Sequence, residues 1–127
     1  PGRGPVVRLG DRACVFDGNL TALLDEAAAR LKRRGRPVQR LRLTGGTCEG
    51  TAYLAFGYEA GGVAIPLVNY HNGWGADKIA PEKVRLEDLD GIVALLVEAA
   101  KLFPKKTLRG TLRPRLAARL KKATKFL

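Results

Sequence analysis

Val38-Gln39-Arg40-Leu41-Arg42-Leu43-Thr44 runs directly into Gly45-Gly46-Thr47-Cys48-Glu49. The first seven residues alternate apolar and polar, the period of a strand buried on one face. The glycines end that strand and open a turn. Before this stretch, Leu20, Leu23, Leu24, Ala27, Ala28 and Leu31 recur at helical spacing, predicting a helix over 20–34. Asp17 or Asn19 is placed to cap its start, and Gly35 to stop it. A short strand over 5–9 precedes that helix, with Pro5 where a missing N–H is tolerated. After the glycines, Thr51 to Tyr58 reads as a short helix burying Leu54, Ala55 and Phe56. A third strand follows over 63–69, and then a long helix over 86–102, with Glu87 and Asp88 in its first turn. Strands alternating with helices place the chain in the α/β class: a small layered sheet with flanking helices. The expected core includes Leu23, Leu24, Leu31, Val63, Ile65, Leu67, Leu89, Ile92, Val93 and Leu96.

At 127 residues and 46% apolar, the chain has the size and hydropathy of one folded domain. No apolar run approaches the ~20 residues of a membrane span. Residues 1–5 read as a flexible leader without signal-peptide character, and the lack of any Met suggests a cut from a longer chain. Lys and Arg exceed Asp and Glu by 11, and the excess is not spread evenly. Residues 1–100 carry 13 basic and 12 acidic side chains, whereas 101–127 carry ten basic and none acidic. The chain therefore divides into a nearly neutral body, 1–103, and a basic tail, 104–127. In the tail, Leu108, Leu112, Leu116, Leu120, Ala123 and Leu127 predict an amphipathic helix with a basic opposite face. Cys14 and Cys48 form no framework and no zinc spacing, which suits reduced thiols in a cytoplasmic protein.

Two segments follow strand ends, where α/β sheets bind ligands. Gly45, Gly46, Thr47, Cys48 and Glu49 offer close backbone approach, a hydroxyl and a carboxylate. The same residues also read as a plain strand-to-helix turn with Thr47 as the cap. His71, in Asn69-Tyr70-His71-Asn72, is the only histidine. A lone histidine is commonly a surface or hydrogen-bonded residue, yet imidazole after a strand is also an ordinary zinc ligand. Glu49, Asp11 and Asp77 are the other candidate ligands, none with a diagnostic spacing. Were the strands parallel neighbours, both segments would open on one crevice. Trp74, between two glycines, reads as a lid, an interface anchor or a residue packed on the sheet edge.

Taken in order, Gly4 to Arg12, Gly45 to Glu49, Ile65 to Asn72 and Ile79 to Val84 resemble the C-terminal part of the co-catalytic zinc exopeptidases. The branch is the tetrahedral or glutamyl aminopeptidase type, also described as cellulase-like. The resemblance covers residues 4–103. It implies that Gly45, Gly46 and Thr47 border a peptide-substrate pocket. Cys48 stands where the family often has aspartate, and Glu49 supplies a neighbouring carboxylate. It also implies that His71 ligates one of two zinc ions. The family's other ligands and its catalytic glutamate come earlier than the matched segment and are absent here. The implied protein is thus a fragment of a hydrolase, inactive alone, completed by the missing N-terminal part or a partner chain, with homo-oligomerisation possible in principle. The alternative reading is a non-catalytic module whose tail contacts nucleic acid or another polyanion without specificity. A third is a basic amphipathic helix lying on a membrane.

Overall fold

A computed structural model describes residues 1–73 and 78–103 of the chain. The basic tail 104–127, with the helix expected over 108–127, lies outside the described residues, as do Trp74 and Asp77. The elements are β1 (Val6–Arg8), α1 (Gly18–Arg33), β2 (Gln39–Leu41), α2 (Glu49–Ala55), β3 (Gly62–Ala64), β4 (Leu67–Val68), β5 (Lys83–Val84) and α3 (Leu86–Leu102). A single 3-10 turn, Tyr70–Asn72, follows β4. This is the α/β class expected from the alternation of elements: a short sheet with flanking helices.

α1 begins where the Asp17 carboxylate accepts the N–H groups of Asn19 and Leu20 at 2.9 and 2.8 Å. It ends because Gly35 takes φ +74°, and the N–H groups of Gly35 and Arg36 return to the carbonyls of Lys32 and Leu31. That pair of bonds is a Schellman stop. One face of α1 buries Leu23, Leu24, Ala27, Ala28 and Leu31 against Val7, Val38, Leu95, Ala99 and Leu102. The core therefore lies between one face of the sheet and the α1–α3 pair.

The strand expected over 63–69 is two strands in two sheets. β1 is central in a three-stranded sheet, parallel to β2 and antiparallel to β3, with Val7 opposite both Arg40 and Val63. After Ala64 the chain breaks at Ile65-Pro66, where proline removes a ladder donor. β4 then pairs antiparallel with β5, Leu67 opposite Val84. Val63, Ile65 and Leu67 are half-buried rather than core residues.

α3 covers the expected span but turns a different face inward. Asp88, Gly91, Leu95, Glu98, Ala99 and Leu102 are buried, while Leu89, Val93 and Leu96 are exposed and Ile92 is half-buried. The reason is electrostatic and steric. Asp88 is drawn inward to accept the N–H groups of Gly2 and Gly4 at 2.6 and 2.8 Å. Gly91 lets the Pro5 ring approach α3, since a Cβ there would lie 2.6 Å from Pro5 Cδ. Glu98 is held by Arg34 at 3.0 Å and Lys101 at 3.2 Å, which keep its carboxyl below the usual range despite burial. Residues 1–5 are accordingly not a loose leader: Asp88 ties them down, and Pro5 is fully buried.

The short helix also departs from expectation. α2 starts at Glu49, earlier than Thr51, and none of its residues is buried. Phe56, expected inside, is 82% exposed. α2 is instead fixed from its start: Gly50 sits over the buried Phe16 ring, where a Cβ would come within 2.9 Å of that ring. Among the described residues, no helix is long and apolar enough to cross a membrane.

Candidate functional site

β1 ends at Arg8, and the chain turns through Gly10 to Asp11. Asp11 is 0% exposed. One carboxylate oxygen accepts the N–H groups of Ala13 at 2.9 Å and Cys14 at 3.0 Å. The other accepts the N–H of Cys48 at 3.0 Å and the hydroxyl of Thr51. The Cys14 thiol lies 3.4 Å from the first oxygen and 3.3 Å from Thr51 Oγ1. The Thr51 hydroxyl above all, then the three N–H donors, holds the Asp11 carboxyl well below the usual aspartate range; burial opposes this and is outweighed. Asp11 was a candidate metal ligand on sequence grounds. Its oxygens are occupied by backbone and hydroxyl donors, so its role is to brace the site.

That bracing fixes the Gly45–Glu49 segment. The Arg12 N–H donates to the Gly46 carbonyl at 3.0 Å, and Arg42 Nε donates to the Asp11 carbonyl at 3.2 Å. Cys48, not Thr47, is the residue at the N-terminal boundary of α2, and its side chain makes no capping bond. Gly45 and Gly46 face open space, with nothing within 4 Å of a Cβ at either position. Thr47 and Glu49 are exposed. The segment therefore presents a hydroxyl and a carboxylate to solvent from a backbone anchored at Asp11.

His71 sits on a different kind of support. Asn69, His71 and Asn72 all have left-handed backbones, with φ of 59°, 58° and 57°. Each such residue other than glycine costs about 1–3 kcal/mol, and such strain concentrates at functional sites. Surrounding bonds hold the turn. The His71 N–H donates to Glu82 Oε1 at 2.6 Å, and the Glu82 N–H donates to Asn72 Oδ1 at 3.1 Å. Asn69 Nδ2 donates to the Pro81 carbonyl at 2.8 Å. The Tyr70 and His71 rings lie 4.0 Å apart at 33°. The imidazole is exposed, on a backbone tied to the β5 arm. Sequence reasoning singled out His71 but not Asn69, Asn72 and Glu82. Two asparagines flanking it were the available signal, because asparagine tolerates this backbone region.

The parallel-strand argument for one shared crevice does not hold. β3 is antiparallel to β1, so its carboxyl end lies beside the amino ends of β1 and β2. The chain then passes through β4 before reaching His71. A groove of about 410 Å³ lies on the sheet face away from α1 and α3, and neither the Gly45–Glu49 segment nor His71 lines it. Val6, Leu41, Leu43, Ile65, Leu67 and Tyr70 line it. Leu43 precedes Gly45 by two residues and Tyr70 immediately precedes His71, so each segment borders the groove through a neighbour. Among the described residues, no three His, Cys, Asp or Glu side chains gather as a metal site. The described residues do not gather a dinuclear centre by themselves.

The fold has counterparts among solved structures. One, described as PhTET1-12s with a dodecamer in the asymmetric unit, aligns with a TM-score of 0.55 and 22% identity over 79% of this chain and 27% of that chain. Another is a TET aminopeptidase from the marine sediment archaeon Thaumarchaeota archaeon SCGC AB-539-E09. It aligns with a TM-score of 0.56 and 21% identity over 76% of this chain and 25% of that chain. The likeness is one of fold, and the chain spans about a quarter of the length of these proteins. No family model and no curated protein matches the sequence.

Proposed function

We propose that the chain is one portion of a zinc-dependent aminopeptidase-type hydrolase. In this reading, His71 ligates one of two zinc ions, and Gly45, Gly46, Thr47, Cys48 and Glu49 border the peptide-substrate pocket. The remaining ligands come from outside the chain, from a longer polypeptide or a partner subunit. The observation that carries the reading is the His71 turn. An exposed imidazole stands on a left-handed backbone held by Glu82, Pro81 and Asn72, within a fold like that of a TET aminopeptidase. Zinc would supply Lewis acidity and a nucleophile at neutral pH. This chain's part is to present His71 and, through Asp11, to keep the Gly45–Glu49 segment in place. The dodecameric neighbour motivates homo-oligomerisation of the completed enzyme, and a cytoplasmic location belongs to the same proposal.

The test is hydrolysis of aminoacyl anilides by the purified chain, with zinc or cobalt added. No turnover is expected. Turnover abolished by His71→Ala would mean that the chain carries a complete site, against the proposal. Restoration of activity by a co-expressed polypeptide bearing a His-x-Asp and a Glu-Glu pair, lost again in His71→Ala, is the positive outcome.

A further inference from the structure

Arg8 ends β1 on the sheet face away from α1 and α3. It stands two residues from Val6 on its own strand and opposite Leu41 in β2. The pleat therefore puts Val6, Arg8 and Leu41 on one face. Val6 and Leu41 line the groove of about 410 Å³ on that face, together with Leu43, Ile65, Leu67 and Tyr70. Arg8 is half-buried at the Leu41 end of this groove. Its guanidinium carbon lies 5.4 Å from the centroid of the buried Phe16 ring. Arg8 Nε is buried, and no group among the described residues accepts its N–H. The ion pairs among the described residues do not include Arg8 either. A buried charged donor without an acceptor is costly, so an acceptor is what this position lacks.

We propose that the groove binds a small apolar carboxylate, such as a medium-chain alkanoate, with its carboxylate on Arg8 and its hydrocarbon over Val6, Leu41 and Leu67. Charge selects the ligand's polar end. A guanidinium presents its donors in a planar fork that fits a carboxylate, and a neutral ligand would leave the cation unpaired. The lining selects the rest of the ligand, because aliphatic side chains and one aromatic ring favour hydrocarbon. Size agrees: small-molecule sites run from about 300 to 1,000 Å³, and the groove lies within that range.

Gln39 also lines the groove, and its Nε2 is engaged by the Gly4 carbonyl at 2.9 Å. That leaves Arg8 as the charged anchor beside an otherwise mostly apolar surface. The site does not depend on the hydrolase reading, since neither His71 nor the Gly45–Glu49 segment lines the groove.

The experiment titrates the full chain with sodium octanoate and, separately, with 1-octanol, read by calorimetry and by methyl NMR shifts. Octanoate is expected to bind about tenfold or more tightly than octanol, as one charge-assisted pair warrants. The shifts should fall on Val6, Leu41, Leu43 and Leu67. In Arg8→Gln, octanoate should weaken to the level of octanol, with octanol unchanged. Leu67→Asp should weaken both ligands, with circular dichroism reporting that each variant is folded. Should Arg8→Gln not fold, the octanoate–octanol comparison in the unaltered chain still decides. No octanoate binding, equal binding of the two ligands, or shifts on Leu20, Leu23 and Leu24 instead would overturn the proposal. So would an octanoate affinity that falls as protein concentration rises, which would assign the groove to a second copy of the chain.

Discussion

The Asp11 carboxylate accepts the backbone N–H of Cys48 at 3.0 Å, across 37 positions of sequence. With Thr51 on the same oxygen and Ala13 and Cys14 on the other, this one side chain joins the loop after β1 to the start of α2. Asp11→Asn keeps the shape but leaves one carbonyl oxygen and a donor where two acceptors stood. We expect its urea midpoint to fall further than that of Asp17→Ala, which removes a helix cap at a cost of about 1 kcal/mol. An equal or smaller fall would show that the loop is held by other means.

The same carboxylate, with Glu98, sets a response to acid. Both groups titrate lower in the folded protein than in the unfolded chain. The unfolded chain therefore takes up protons first, and the stabilisation is complete at neutral pH. It is lost progressively as pH falls below ~4, through the folded-state values. Asp11→Asn and Glu98→Gln should each flatten the acid limb of a stability-against-pH curve. A limb of unchanged slope in both variants would place the acid sensitivity elsewhere.

Gly91→Ala tests the packing of residues 1–5 on α3. Alanine favours the helix by about 1 kcal/mol. Its Cβ, however, would stand 2.6 Å from the buried, rigid Pro5 ring, and overpacking of this kind costs about 1–3 kcal/mol. The clash is expected to win, giving a lower denaturation midpoint. A rise would mean that the 1–5 segment yields easily.

His71→Gly separates presentation from stability. Glycine enters the left-handed region freely, so the variant should match or exceed the parent's thermal midpoint, because about 1–3 kcal/mol of relieved strain offsets the cost, about 0.4–1 kcal/mol, of glycine's looser unfolded chain. A clear loss would assign the imidazole a packing role against Tyr70 instead.

Retention on heparin should report the tail, because residues 101–127 hold ten basic side chains and no acid. Binding is expected to be insensitive to the polyanion's sequence and to drop steeply between ~50 and ~200 mM salt. Substituting Arg113, Arg115 and Arg119 by Gln should shift elution to lower salt. Unchanged elution would move the anion-binding surface to the body, and salt-resistant, sequence-selective binding would favour a nucleic-acid module.

Much of the architecture was legible in the residues alone. Apolar spacing with Asp17 at the start and Gly35 at the end determined α1, because a helix and its caps are made by neighbours a few positions apart. Alternation over 38–44 identified β2, and the order of strands and helices established the class. His71 and the Gly45–Glu49 segment stood out as candidates for the same local reasons. Only the tertiary structure decided how these pieces face one another. The direction of β3 depends on how the chain returns from α2 to β1, so it was not written in the apolar run 63–68. The inward face of α3 depends on partners 84 and 86 residues away, Gly4 and Gly2, which make Asp88 a buried residue. Hydropathy reads a charge as a surface residue, since burial without partners is costly. Asp11, Asp88 and Glu98 went inside because distant donors were waiting there, and that information exists only once the chain is folded.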